Sequence, residues 1–438
     1  MEGGECYNIH RNVKTMKGVG MEQAEKRGKT VLYLYLLLSF LYFVSYITRL
    51  SFSATMTEMI DVEVLTKEQA GLVGSALFLT YALGQIVSGL LSDRFSPYGI
   101  VGVGLGITIL CNLLMGVVSE PLWMIALGAA NGFAQALFWP PLLGIMAKYL
   151  DGKQYAKGIL WVTAAAQIAT VLIYIVVPVL LLWFDWRSSF LFVSVVALLF
   201  GVVWFVGYPA IGRRLSARKV QKTHSDTPTE KAIDNRGLLR ALATSGALVL
   251  LIPTILHGFL KDGIQSWMPT FFTEVFDMDS SLAILSNVLL PIFSFLVVMV
   301  ATELYNRVLR DLAKEALVLF AVITALSVLL GLFFEGSALV CLVLAALITG
   351  CIHGVNLMFI SYMPRFFRKT GRVSTVSGIC NACAYVGSTL SSYGVAWLAA
   401  RFGWQVALFS WGLFALISVI LCATVVKKWS RFASGNEQ

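Results

Sequence analysis

The chain has 438 residues, of which 58% are apolar and only 13% are charged. Soluble globular domains are about 45–50% apolar and about 25% charged, so this composition excludes a soluble protein and predicts an integral membrane protein. In such a chain the formal net charge of +9 carries information on topology and is not a sign of nucleic-acid binding.

Apolar runs long enough to cross a bilayer, about 20 residues each, follow a polar start at residues 1–29. The predicted spans are residues 30–57, 68–92, 98–118, 121–148, 156–184, 187–209, 237–275, 280–304, 314–334, 338–363, 373–400 and 403–426. Their number and length exclude a single-span receptor and a β-barrel. A polar stretch at 210–236 divides six spans from six. It predicts helix bundles at 30–209 and 237–426, with a second tail at 427–438.

The basic residues lie mostly on one side of the predicted membrane. The two tails, the linker and the loops on their side hold 28 of the 33 Lys and Arg residues, whereas the opposite side holds only Lys67, Arg187 and Arg401. Positive charge is retained on the cytoplasmic side, so both tails and the linker are expected to face the cytoplasm. Arg49 and Lys261 remain, and both fall inside predicted spans.

The two halves repeat weakly in parallel. Arg49 and Lys261 are 212 residues apart, and Arg94 and Arg307, in corresponding short loops, are 213 apart. The pattern predicts an all-α membrane protein of twelve transmembrane helices in two pseudo-symmetric six-helix bundles. This is an architecture of secondary transporters that bind substrate between the halves near mid-membrane. Because the chain lacks a Gly-rich Walker loop, an ATP-driven pump is not expected.

An Arg or Lys inside a membrane costs at least about 2.5–3.5 kcal/mol and is functional by default. On span 1, Tyr42, Tyr46 and Arg49 share one helix face, and on span 7, His257 and Lys261 do so at the corresponding place. Each stripe is expected to line a cavity, so the two cations would face each other across it.

No carboxylate is expected to neutralise both cations, because Asp262 is turned about 100° from Lys261 around the helix. A bound anion is therefore the predicted partner of Arg49 and Lys261. The alternative is that the two side chains extend to opposite membrane surfaces or pair with Asp262 or Glu58.

Weaker polar stripes occur on other spans. They include Asn131 and Gln135 on span 4, Gln167 on span 5, His353 on span 10 and Tyr385 on span 11. Polar groups also hold helices together in lipid, so each of these residues could either contact a ligand or join two helices. The seven Cys and four His show no metal-ligand spacing, so neither a metal nor another cofactor is expected.

The segment Gly89-Leu-Leu-Ser-Asp-Arg-Phe-Ser-Pro97 closes span 2. It resembles the loop 2–3 signature of the major facilitator superfamily. The resemblance implies that Asp93 and Arg94 contact neighbouring helix ends and hold one access state. The loop 8–9 counterpart keeps the base as Arg307 but has Asn306 where an acid would stand.

Within that superfamily the chain resembles the organophosphate:phosphate antiporters, which carry glycerol 3-phosphate or hexose phosphates. The stretches that resemble this family are Tyr46–Ser53, Phe138–Pro141, Trp186–Ser189, Trp267–Pro269 and Ala384–Ser388. The resemblance implies that Arg49 and Lys261 clamp a phosphoryl group. Three family cations are missing, since Leu50, Gln85 and Ala166 stand in their places. Gln85 can still donate hydrogen bonds, and it is placed in the predicted site together with Tyr81.

The predicted function is transport of a phosphorylated small organic anion by alternating access, in exchange for inorganic phosphate. One alternative is a symporter for a sugar acid or other carboxylate, coupled to protons through His257, His353 or Asp262. The other is a transporter-like hexose-phosphate sensor. An enzyme is not expected, because no nucleophile–base pair lies on one helix face. We expect a monomer in a bacterial inner membrane, with the lipid bilayer and the anion as its partners.

Overall fold

The structure is a computed structural model that describes residues 3–150, 152–216, 235–370 and 373–435. Nearly all of these residues are helical. The helices are α1 (Gly3–Asp61), α2 (Lys67–Arg94), α3 (Pro97–Met115), α4 (Pro121–Ala136, continued by Trp139–Tyr149), α5 (Gly152–Leu181), α6 (Arg187–Ser216), α7 (Ala247–Phe276), α8 (Ser280–Ser286, continued by Leu289–Leu304 and the π-helical turn Tyr305–Leu309), α9 (Leu312–Leu332), α10 (Ala338–Asn356, continued by Leu357–Tyr362 and Met363–Thr370), α11 (Val373–Phe402) and α12 (Trp404–Ser434). A short helix, Asn235–Ser245, precedes α7.

The predicted all-α fold of twelve membrane helices is confirmed. In the described part of the chain, eleven helices are long and apolar enough to span a bilayer. The twelfth, α11, is equally long but rich in Ser and Gly. These small residues lower its hydropathy, yet they allow the close helix contacts that stabilise membrane bundles.

The predicted span 237–275 is divided at Gly246, between the short helix and α7. α6, α10 and α12 continue past their predicted ends to Ser216, Thr370 and Ser434. Of the predicted linker and second tail, residues 217–234 and 436–438 lie outside the described residues.

The helices also differ from the predicted spans at the start of α1 and at breaks within α4 and α8. α1 continues back to Gly3, because residues 3–29 contain no proline and several strong helix formers. α4 is interrupted at Leu137 and Phe138 just before Pro140 and Pro141. α8 is interrupted before Pro291 in the same way. A proline removes the hydrogen bond to the carbonyl four residues earlier, which explains both breaks.

We call the membrane face that carries the linker between α6 and α7 the linker face, and the opposite one the far face. One apolar cluster joins the two halves towards the far face, with Phe52 and Trp186 from the first half and Trp267 and Phe271 from the second. Another cluster, around Trp204, belongs to the first half alone. The two halves are therefore packed together at the far face.

Polar contacts close the same face. Lys67 at the start of α2 forms a 2.7 Å ion pair with Glu274 near the end of α7, and the Trp404 indole donates a 2.8 Å hydrogen bond to the same carboxylate. Deeper in, the hydroxyl oxygens of Thr57 and Thr270 lie 3.0 Å apart. These contacts seal the space between the halves from the far side.

Two glycines allow α7 and α11 to cross at close range. A Cβ added at Gly258 would lie 1.9 Å from the carbonyl oxygen of Ala384, and one at Gly387 would lie 1.8 Å from that of Ile255. Because backbone meets backbone at both positions, no side-chain rotation could relieve the clash. The crossing places the cavity-facing residues of the two helices next to each other.

We predict that Gly387→Ala destabilises the protein by about 1–3 kcal/mol, the usual cost of overpacking. Gly378→Ala is the matched control on the same helix, because nothing lies within 4 Å of its added Cβ and alanine has the higher helix propensity. Thermal unfolding of the purified variants measures the difference. Equal melting temperatures for the two variants would show that the crossing tolerates a methyl group.

Candidate functional site

A cavity of about 90 Å³ lies between the two halves, and both intramembrane cations line it. Its walls come from α1, α2, α5, α7, α8, α10 and α11. Pockets that hold organic ligands measure about 300–1,000 Å³, so the cavity in this structure is smaller than a typical ligand site.

Arg49 of α1 is a buried cation whose near neighbours are tyrosine rings. Its residue surface is 8% exposed. The guanidinium carbon lies 4.3 Å from the ring centroid of Tyr46 and 5.2 Å from that of Tyr81. No carboxylate of the described residues forms an ion pair with it. Cation–π contacts offset part of the desolvation cost, but a buried charge without a counterion favours binding of an anion.

Lys261 of α7 has a carboxylate beside it. Its Nζ lies 3.4 Å from Oδ2 of Asp262, and Ser388 of α11 donates a hydrogen bond to the same oxygen. The expectation that Asp262 points away from Lys261 is therefore wrong, and for Lys261 the structure shows the alternative pairing with Asp262. The two residues diverge around the helix, but the flexible four-carbon stem of lysine allows the ammonium group to turn back.

A pair of tyrosines links the surroundings of the two cations. The ring centroids of Tyr81 on α2 and Tyr385 on α11 lie 4.5 Å apart. Tyr81 faces Arg49, and the Lys261 Nζ lies 5.6 Å from the Tyr385 ring centroid. The aromatic pair thus connects the first half to the second next to both charges.

Some of the other predicted site residues line the cavity, and others lie outside its lining. Gln167 and His353 line the cavity. His257 is fully buried and stands outside the lining. Tyr42 packs its ring 5.0 Å from the rings of Tyr46 and Trp139. Gln85 also lies outside the lining, and its side-chain amide nitrogen has no hydrogen-bond partner among the described residues.

The polar stripe of α4 joins two helices. The Gln135 amide donates a 2.8 Å hydrogen bond to the Thr48 hydroxyl and accepts one of 2.6 Å from Ser45. Asn131 donates to the Thr48 carbonyl at 3.4 Å. These bonds hold the turn of α1 that presents Arg49, so of the two possible roles the structural one applies here.

Sequence reasoning missed the contribution of α8. Asn287 and Pro291 line the cavity at the point where α8 is interrupted. The Asn287 amide donates a 2.7 Å hydrogen bond to the Gln265 carbonyl, while its Oδ1 is buried with no partner in the described part of the chain. A helix broken at mid-membrane often marks a transporter binding site. Pro291, which stands inside an apolar run, was the sequence feature that could have indicated this break.

The predicted conformational latch is only partly visible. The side chains of Asp93 and Arg94 lie outside the described residues. Arg307 forms an ion pair with Glu303, one turn earlier on the same helix, and both side chains are exposed. This pair therefore does not reach a neighbouring span, and the latch stays a prediction.

Comparisons with known proteins give a family and a fold. A family model described as Major Facilitator Superfamily matches residues 38–384. The chain is 24% identical over 401 residues to a "Probable hexose phosphate transport protein" of Chlamydia trachomatis serovar D, covering 85% of this chain and 86% of that protein. It is 31% identical over 182 residues to the membrane sensor protein UhpC of Escherichia coli K12, covering 39% and 41%.

A solved structure has the same fold. The crystal structure of a bacterial homologue of the human lysosomal transporter Spinster, in an inward-facing and unoccupied conformation, superposes with a TM-score of 0.76 at 16% identity. The match covers 92% of this chain and 98% of that one.

We predict that inorganic phosphate stabilises the purified protein and that Arg49→Gln abolishes this effect, because the variant removes the buried charge that lacks a counterion. A ligand at 100 times its dissociation constant adds about 2.7 kcal/mol to the folded state. The measurement is the melting temperature with and without phosphate. Arg213→Gln, which removes an exposed arginine at the end of α6, is the control and should respond as the wild type does. An undiminished phosphate response in Arg49→Gln would exclude Arg49 from the site.

Proposed function

The chain belongs to the Major Facilitator Superfamily, and we propose that it carries a phosphorylated small organic anion across the membrane in exchange for inorganic phosphate. Membership of this family indicates a multi-pass membrane transporter and not an enzyme. The relative named for hexose phosphate transport supports a sugar phosphate as the organic substrate.

The observation that carries the proposal is the unequal pairing of the two cations. Arg49 has no carboxylate partner among the described residues, whereas Lys261 has Asp262 at 3.4 Å. With His353 neutral, the cavity lining carries one net positive charge, from two cations and one carboxylate. A singly charged phosphate or phosphate ester would balance that charge. Guanidinium and ammonium groups both bind phosphate oxygens well, the guanidinium in bidentate geometry.

The position of the cations on opposite halves suggests how binding drives movement. An anion that contacts Arg49 on α1 and Lys261 on α7 attracts both halves towards itself. This attraction lowers the free energy of the closed intermediate through which alternating access must pass. Without an anion, the unpaired charge of Arg49 disfavours closure. Because inorganic phosphate and a phosphate ester present the same group, either one permits the transition, and exchange results.

Asp262 is the counterion of Lys261 in this structure. An incoming phosphoryl group competes with it for the ammonium group, while Ser388 keeps the carboxylate nearby. This competition weakens anion binding and so favours release after each transfer. A doubly charged anion would leave an excess negative charge beside Asp262 unless that carboxylate takes up a proton. A proton-coupled variant of the same carrier could use this group.

The proposal includes an orientation. The excess of basic residues on one side supports a cytoplasmic linker face. The far face, closed by Lys67 and Glu274, would then be the external one. In this arrangement the structure represents a state closed to the outside, in a bacterial inner membrane.

A second candidate is a hexose-phosphate sensor. The 31% identity to UhpC, a membrane sensor protein, over 182 residues favours it. A sensor binds its ligand without transporting it, so measuring flux separates the two functions.

We predict that phosphate-loaded vesicles containing the purified protein take up labelled hexose phosphate. Lys261→Ala should reduce this uptake to the level of phosphate-loaded vesicles without protein. The reason is that the second half would lose its contact with the phosphoryl group. Lys314→Ala, at an exposed lysine of α9, is the control and should retain uptake. Binding without uptake by the wild type would support the sensor function. Normal exchange by Lys261→Ala would overturn the proposal that Lys261 binds the phosphoryl group together with Arg49.

We predict that Asp262→Asn binds inorganic phosphate at least about tenfold more tightly, a difference of about 1.4 kcal/mol, because Lys261 is released from its counterion. Asparagine keeps an oxygen that can accept the Ser388 hydrogen bond. Titration calorimetry on wild type and variant gives the ratio, with Asp185→Asn in the loop before α6 as the control. Weaker binding by Asp262→Asn would mean that the carboxylate orients Lys261 and does not compete with the substrate.

A further inference from the structure

A groove of about 990 Å³, far larger than the central cavity, lies on the outer surface of the first half. α1 forms its floor, and α5 and α6 form its walls. Both wall helices pack along α1. Small residues, including Ala164, Gly207 and Ala210, leave the space between them open. All of its lining residues belong to the first half, and none of them lines the central cavity, so the groove is separate from the candidate substrate site.

The groove is as long as one leaflet of a bilayer is thick. On α1 it extends from Tyr33 to Phe43, eleven residues whose Cα atoms span about 15 Å along the helix. Half of a hydrocarbon core of about 30 Å is the same length. Tyr33 lies near the linker face and Phe43 near the middle of the membrane. The groove therefore follows the path of a single acyl chain in the linker-face leaflet.

The chemistry of the lining changes at the linker face. Arg214, at the end of α6, is the one charged residue that lines the groove in the described part of the chain. Its side chain is exposed, and no described carboxylate forms an ion pair with it. Trp161 and Tyr33 lie on the same groove and are partly exposed, as is common for aromatic residues at a membrane interface.

From this juxtaposition we infer that the groove binds one anionic phospholipid, with one of its two acyl chains along α1 and its headgroup phosphate in contact with Arg214. Burial of the chain among apolar side chains supplies affinity for any phospholipid. The arginine adds preference for a net negative headgroup, and basic residues at this depth attract anionic lipids. The occupant would fill the gap between α5 and α6 and support α1, the helix that presents Arg49.

The test compares two lipids on the intact protein. Wild type is reconstituted in vesicles of equal parts phosphatidylglycerol and phosphatidylcholine and extracted in mild detergent, and the retained lipids are quantified by mass spectrometry. We expect phosphatidylglycerol to be enriched about fivefold over phosphatidylcholine. Arg214→Gln should remove this enrichment, whereas Arg213→Gln, at the neighbouring exposed arginine that does not line the groove, should keep it.

A second pair of variants tests the groove itself. A Cβ at Gly207 meets only Leu37 Cδ1 at 3.7 Å, so Gly207→Phe can fill the groove without a backbone clash and should reduce retention of both lipids. Val206→Phe places the same ring at an exposed neighbour outside the groove and should leave retention unchanged. Three results would each overturn the inference. They are equal retention of the two lipids by wild type, equal phosphatidylglycerol enrichment in Arg214→Gln and Arg213→Gln, and equal lipid retention in Gly207→Phe and Val206→Phe.

Discussion

The buried guanidinium of Arg49 is the constraint on which the rest of the site depends. A charge at this depth is costly, and two tyrosine rings offset only part of that cost. The hydrogen bonds that Gln135 of α4 donates to Thr48 and accepts from Ser45 fix the turn of α1 that carries it. Lys261, already paired with Asp262, contributes a second positive group on the opposite half. The small cavity therefore carries one net positive charge.

The helix packing explains how an anion that balances this positive charge would contact both halves. Gly258 and Gly387 allow α7 to lie directly against α11, which brings Lys261, Asp262 and Ser388 together. The Tyr81–Tyr385 contact joins α2 to α11 across the two halves. Contacts such as Lys67–Glu274 close the far face. In the exchange that we propose, an anion in the cavity would therefore contact elements from both halves.

Hydropathy and charge predicted the twelve helices and the position of both cations within them, because lipid burial leaves a strong signal in composition. The sequence predicted the Lys261–Asp262 pair only as the alternative, since helix geometry alone ignores how far a lysine stem can bend. It also missed Asn287, whose role depends on the helix break before Pro291. Gln135 was ambiguous, because a ligand contact and a bond between helices require the same amide. Such distinctions depend on three-dimensional neighbours that spacing along one helix cannot specify.

The most direct test of the account is a crystal structure of the protein with arsenate, a phosphate analogue whose anomalous scattering identifies its position. The account predicts one arsenic peak between the Arg49 guanidinium and the Lys261 ammonium group, with the Asp262 carboxylate moved away from Lys261. A peak at another site, or a cavity in which Asp262 still pairs with Lys261 and no arsenic is bound, would contradict it.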